Sequence, residues 1–167
     1  MPTEPYLTCD RLREVLDYDA ATGVFRWRVQ LGNKGPVGCR AGSINVHGYR
    51  IIRIDQRDYR AARLAVLFMT GAWPDALVDH IDLCRSNDQW SNLRLATYSE
   101  NFANRKARRG SKAGVKGVSP SRTPGKWTAK IQVRGETMHL GTYSNIEEAA
   151  DAYARAARKG FGAFART

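Results

Sequence analysis

Cysteine is scarce in this chain of 167 residues: there are three, at positions 9, 39 and 84, and no Cys-x-x-Cys pair. An odd, scattered set argues against a thiolate zinc site and favours a reducing, cytoplasmic compartment. No apolar run approaches the ~18 residues that a membrane span needs. The opening MPTEPYLTCD has no basic region followed by an apolar stretch, so no secretory signal is expected. At 43% hydrophobic and 26% charged the composition is that of an ordinary globular chain, which excludes the collagen, low-complexity and membrane classes. The length suits one domain or two small ones.

Acidic residues are also scarce, but only in the last third. Residues 102–167 hold 4 Asp/Glu against 14 Lys/Arg, whereas residues 1–101 hold 12 against 13; the net charge is +11. Such asymmetry points to a polyanionic partner, nucleic acid before anionic membrane. Aromatic residues interleave these cations, which weighs against a merely solvated surface.

The apolar spacing of Leu12, Val15 and Leu16 predicts a helix over 8–18. Glycine-punctuated strands follow at 23–29, 42–46 and 48–55, then a helix over 58–71 ended by Gly71. Residues 102–113 are basic. Strands are expected at 115–118, 127–134 and 137–143, with a tight turn at Arg134-Gly135-Glu136. A helix over 145–159 carries Asn145 as its cap, Glu147 and Glu148 at its start, Arg155, Arg158 and Lys159 at its end, and Gly160 as its stop. His139 reads as a sheet-packing residue and His47 as a turn residue.

The residues with chemistry gather in 78–101, VDHIDLCRSNDQWSNLRLATYSEN. Asp79 offers a carboxylate and Asn101 an amide oxygen, both hard donors suited to Mg²⁺ or Mn²⁺. His80, on the other face of the pleat, has an imidazole whose ordinary pKa of ~6.5 suits it to take a proton from water. A base for attacking water and a cation for developing charge are the two needs of phosphodiester hydrolysis. Asp79-His80, Asn92-Leu93-Arg94 and Asn101 together resemble the phage-type, homing-like HNH endonucleases of the ββα-metal class, and the likeness extends over about residues 5–108. It implies His80 as general base, Asp79 and Asn101 as ligands of one divalent metal, and Asn92 as the brace that orients His80. Asn87 reads as a turn residue. One position departs from the pattern. Phage relatives carry His in a His-Arg-Leu-Ala run, and this chain has Ala62 before Arg63-Leu64-Ala65; Arg63 is kept as a phosphate contact.

Residues 113–167 resemble the ethylene-response-factor (apetala-type) DNA-binding domain. The letters that carry the likeness are Lys116-Gly117-Val118, Gly125-Lys126-Trp127, His139-Leu140-Gly141-Thr142-Tyr143 and the alanine-rich helix after Glu147. In that family the sheet enters the major groove. Trp127, Lys130, Gln132 and Arg134 are expected on one strand face as the readers, with Lys116, Arg122 and Lys126 beside them. Ala129, Ile131 and Val133 face the helix. Arg105, Arg108 and Arg109, with Lys106 and Lys112, suit phosphate tracking in the joint.

The expected architecture is therefore α+β: a ββα-metal nuclease module with an N-terminal β-rich extension (1–108), a basic linker (109–112), and a three-stranded antiparallel sheet packed on one helix (113–167). The expected activity is metal-dependent cleavage of double-stranded DNA in a phage or its bacterial host. Nicking is the default, because one metal centre in a monomer cuts one strand; a homodimer would cut both. Neither a membrane nor a small-molecule cofactor is expected. The rival reading, favoured by Ala62, is a catalytically impaired HNH-like protein that only binds DNA.

Overall fold

Thr8 accepts the Arg11 N–H at 3.1 Å and so opens α1 (Cys9–Val15). The computed structural model describes residues 7–30, 36–105, 107 and 110–165. The helix stops earlier than its apolar spacing predicts. Leu16 is already extended, and β1 (Leu16–Asp19) pairs with β2 (Val24–Trp27) as a hairpin. Strand alternation wins here because Leu16 and Tyr18 are buried while Asp17 and Asp19 face water.

A three-stranded antiparallel sheet follows, in the order β3 (Ser43–Ile44), β4 (Arg50–Ile54), β5 (Arg57–Arg60). The expected helix over 58–71 loses its first residues to β5. Asp55 and Gln56 both take positive φ, 45° and 67°, and this two-residue turn returns the chain against β4. Helix α2 (Ala61–Thr70) begins only after Arg60 and ends at left-handed Gly71. Its buried Leu64 and Leu67 meet Leu12, Phe25, Ile52 and Ile54 in the first core. Burial of each such side chain contributes roughly 1.5–3 kcal/mol. Strands β6 (Leu77–His80) and β7 (Leu93–Ala96) then form a second hairpin.

Helix α3 (Tyr98–Asn104) carries a full capping box. Thr97 Oγ1 accepts from the Glu100 N–H, and the Glu100 carboxylate accepts from the Thr97 N–H at 2.8 Å. The chain divides into compact units between Leu95 and Ala96, so α3 belongs with the C-terminal residues rather than ahead of a linker after residue 108. It packs against α4 (Ile146–Phe161) and the short turn Gly162–Phe164.

In this second unit the sheet runs β10 (Glu136–Tyr143), β9 (Trp127–Val133), β8 (Val118–Pro120). Residues 115–117 precede β8 rather than form it. Gly117 explains the shift: its φ is +67°, and a Cβ there would strike the Tyr153 ring and the Lys130 carbonyl. Its own carbonyl accepts the Lys130 N–H at 2.8 Å. Gly117→Ala should therefore lower the melting temperature of the C-terminal unit, because the left-handed backbone alone costs ~1–2 kcal/mol for a residue with a Cβ; a calorimetric scan showing no shift would contradict this. Helix α4 starts as expected, with Asn145 accepting the Glu148 N–H at 2.8 Å, but runs through Gly160 and ends at Gly162. Among the described residues, no helix is long and apolar enough to cross a membrane.

Candidate active site

The β6–β7 hairpin carries Asp79 and His80 at the end of β6, both buried. Its long connection is closed on itself by polar side chains. Asn92 donates to Asp82 Oδ1 at 2.9 Å and to the Asn87 carbonyl at 2.8 Å, and its own Oδ1 accepts the Asp82 N–H at 3.0 Å. Asn87 donates to Asp82 Oδ2 at 2.7 Å. Burial would raise the Asp82 carboxyl, but the hydrogen bonds from Asn87, the Cys84 N–H and Asn92 outweigh it and hold the group below its usual range. Asn92 thus ties the two ends of the connection together, immediately beside His80.

What the connection delivers is Asp88. Its Oδ1 lies 3.1 Å from His80 Nε2, and the two side chains are 2% and 5% exposed. A buried carboxylate is costly unless compensated, so its neighbours matter. Tyr18 donates to the Asp88 carbonyl at 2.7 Å. Burial first, then the charge of Asp88, push the Tyr18 phenol upward, so it stays a donor. The Trp90 N–H donates to the Ala20 carbonyl at 3.0 Å. Gly23, at φ +71°, has no Cβ because one would strike the Asp88 carbonyl carbon and the Gln89 nitrogen. The β1–β2 turn, itself shaped by Asp19 accepting from Ala21 and Thr22, is therefore a backing plate for Asp88. Arg50 is buried nearby. Burial, and then the charge of Arg40, lower its guanidinium, and the charge of Asp88 opposes them.

Asp79 is gripped from β7: Arg94 Nε donates to its Oδ2 at 3.0 Å, and a second Arg94 nitrogen lies 3.0 Å from the same oxygen. Asn101 sits half-buried in α3, in the second unit. Among the described residues, no group of three or more His, Cys, Asp or Glu is placed to hold a metal ion.

A family model for HNH endonucleases matches residues 59–103, which contain all of Asp79, His80, Asn92 and Asn101. The chain is 31% identical over 144 residues to an uncharacterized HNH endonuclease of Acanthamoeba polyphaga mimivirus, covering 85% of this chain and 67% of that protein. It is also 35% identical over 89 residues to Protein 3.8 of Escherichia phage T7, covering 53% of this chain and 73% of that protein. The chain belongs to the HNH endonuclease family. It is an enzyme of the hydrolase class, whose members cleave DNA using a divalent metal.

Within this HNH enzyme, Ala62 is buried in the first turn of α2, and its methyl group neither ligates nor moves a proton. Arg63 donates to the carbonyls of Pro74 and Ala76, at 3.2 and 3.4 Å, and lies over Trp73; it holds the segment leading into β6. Of the residues assigned to DNA contact, Arg108 and Arg109 lie outside the described residues, as does Lys106. Arg105 is exposed, with its guanidinium over Phe102. Lys116 donates to the Ala103 carbonyl. Arg122, Lys126, Lys130 and Gln132 are exposed, and Gln132 also donates to the Gly135 carbonyl at 3.2 Å.

Two strand assignments need correction. Trp127 is an odd-numbered position, so it shares a face with Ala129 and Ile131 rather than with Lys130 and Gln132, and it packs against Val118, Ala129, Ala149 and Ala152. Arg134 is in the β9–β10 turn at φ 52°, not in the strand. His139, expected to pack, is exposed opposite Lys130 beside an irregularity in the register.

Asp88 was missed by sequence reasoning. In Ser86-Asn87-Asp88-Gln89 it reads as one more polar turn residue, and the groups that bury it lie about seventy positions earlier in the chain. The usable signal was a second carboxylate, after Asp82, in the short connection that follows His80.

Proposed function

We propose that this protein is a metal-dependent nicking endonuclease of double-stranded DNA in which His80 is the general base, with the C-terminal unit as its DNA reader. The observation that carries the reading is the buried His80–Asp88 hydrogen bond at the end of β6. A neutral imidazole that donates Nε2–H to a carboxylate has its basic lone pair on Nδ1. That nitrogen takes the proton of the attacking water. The imidazolium so formed is stabilised by the Asp88 charge, by the same logic as the carboxylate–histidine pairs of hydrolases. Asn92, by fixing the connection at both ends, keeps His80 and Asp88 in register.

The donor set fits a hard divalent ion. Asp79 offers a carboxylate oxygen, and Mg²⁺ or Mn²⁺ is characteristically held by one or two carboxylates plus substrate phosphate and water. Bound there, the ion would stabilise charge on the phosphoryl and leaving oxygens. Arg94 fixes the orientation of the Asp79 carboxylate.

For the C-terminal unit, the likeness to the ethylene-response-factor domain is supported by an outward sheet surface bearing Lys130 and Gln132, with Arg122 and Lys126 exposed near its edge. Arg and Gln side chains read purine edges and Lys meets phosphate.

Supercoiled plasmid is the test. With Mg²⁺ or Mn²⁺ the protein should convert it to the open circle, and chelator should stop the conversion. Binding without conversion in either metal would favour the impaired reading that Ala62 invites.

A further inference from the structure

Three cationic or aromatic side chains outside the base itself converge on one spot of the first unit. The guanidinium carbon of Arg60 lies 4.4 Å from the centroid of the Tyr49 ring, and that of Arg85 lies 5.0 Å from it. The Tyr49 ring is in turn 6.2 Å from the His80 ring. The arrangement is built by the fold. Asn45 Oδ1 accepts the His47 and Tyr49 N–H groups and shapes the turn before β4. Arg85 runs its stem past Gly48 and donates to the His47 carbonyl at 2.9 Å. Arg60 ends β5, paired with Ile51.

Both arginines are exposed, and among the described residues neither has a carboxylate partner. Stacking on a ring holds a guanidinium flat while leaving its N–H edge available to a planar or tetrahedral oxyanion. Two like charges held on one ring, within about a Debye length (~8 Å) of each other, repel unless an anion lies between them. We propose that Arg60 and Arg85, gathered on Tyr49, form the site that binds backbone phosphates of the DNA strand cut at His80. The inference rests on His80 as the base of the reaction: the closeness of Tyr49 to His80 puts the bound phosphates within a nucleotide or two of the bond attacked. It assigns to this unit its own grip on the cleaved strand, separate from that of the C-terminal sheet.

The test is the salt dependence of binding to a fluorescent mixed-sequence duplex, read by anisotropy on the full-length His80→Ala protein in chelator. Adding Arg60→Ala and Arg85→Ala should weaken binding at low salt. It should also reduce the slope of log affinity against log salt by ~1.8, since each phosphate neutralised contributes ~0.9. Arg53→Ala serves as the control, because Arg53 is an exposed arginine beside Asp58; it should leave the slope in place. An unchanged slope in the double substitution, or a loss of the same size in the control, overturns the proposal. Cutting by the His80→Ala protein at the parental rate when metal is added would count against the base assignment, and it is read separately from the slope.

Discussion

His80→Ala should lower the rate of metal-dependent nicking by ~10²–10⁴, the usual span for a lost general base, and leave affinity for DNA nearly unchanged. In the proposed mechanism the imidazole acts on water, and it is buried at 4% exposure, so it offers the duplex little contact surface. Single-turnover cleavage of plasmid, paired with anisotropy on a duplex, separates the two effects. A variant that cuts at the parental rate would take the base assignment away. One that cuts slowly only because it binds weakly would move His80 from catalysis to recognition.

Asp88→Ala should reduce the single-turnover rate by ~10² or more. In hydrolases the carboxylate behind a catalytic histidine sets its tautomer and stabilises its cation, and removing a group that orients a functional histidine through a hydrogen bond generally costs ~10–10² or more. The loss should fall on kcat rather than KM, because Asp88 is 2% exposed and lies behind the imidazole. Asp88→Asn keeps an oxygen acceptor for Nε2–H but not the charge, so it should recover part of the rate. A role in folding alone would instead lower both variants in proportion to their thermal stability, with kcat per folded molecule unchanged. Melting curves taken beside the kinetics decide between these.

The features that could be read in advance are those whose causes are local. The Asn145 cap and the acidic first turn of α4, and the Thr97–Glu100 box of α3, are written within four residues, and both helices start where those residues say. The pair Asp79-His80 is weak by itself; it stands out only together with Asn92-Leu93-Arg94 and Asn101, the arrangement that resembles the HNH nucleases, whose family model matches residues 59–103. What escaped reading depends on distant parts of the chain. Strand β5 is polar, Arg57-Asp58-Tyr59-Arg60, and nothing in it alternates; it exists because Asp55 and Gln56 turn the chain back on β4. The basic run after Asn101 reads as a joint from sequence, and the packing of α3 with α4 is set by residues far along the chain. Asp88 looks like loop polarity until Tyr18, Ala20 and Gly23 close over it. Trp127 was a different kind of error: its aromatic character suggested a reader, and the parity of β9 turns it inward.

The central claim is that the imidazole at position 80 takes the proton in DNA cleavage, and chemical rescue tests it most directly. His80→Gly leaves a small space where a buried ring stood. Cleavage of supercoiled plasmid by that variant, with metal present, should be lost in plain buffer and should return in proportion to added imidazole, while the parent protein gains nothing from it. Cleavage by His80→Gly at the parental rate without imidazole would contradict the account.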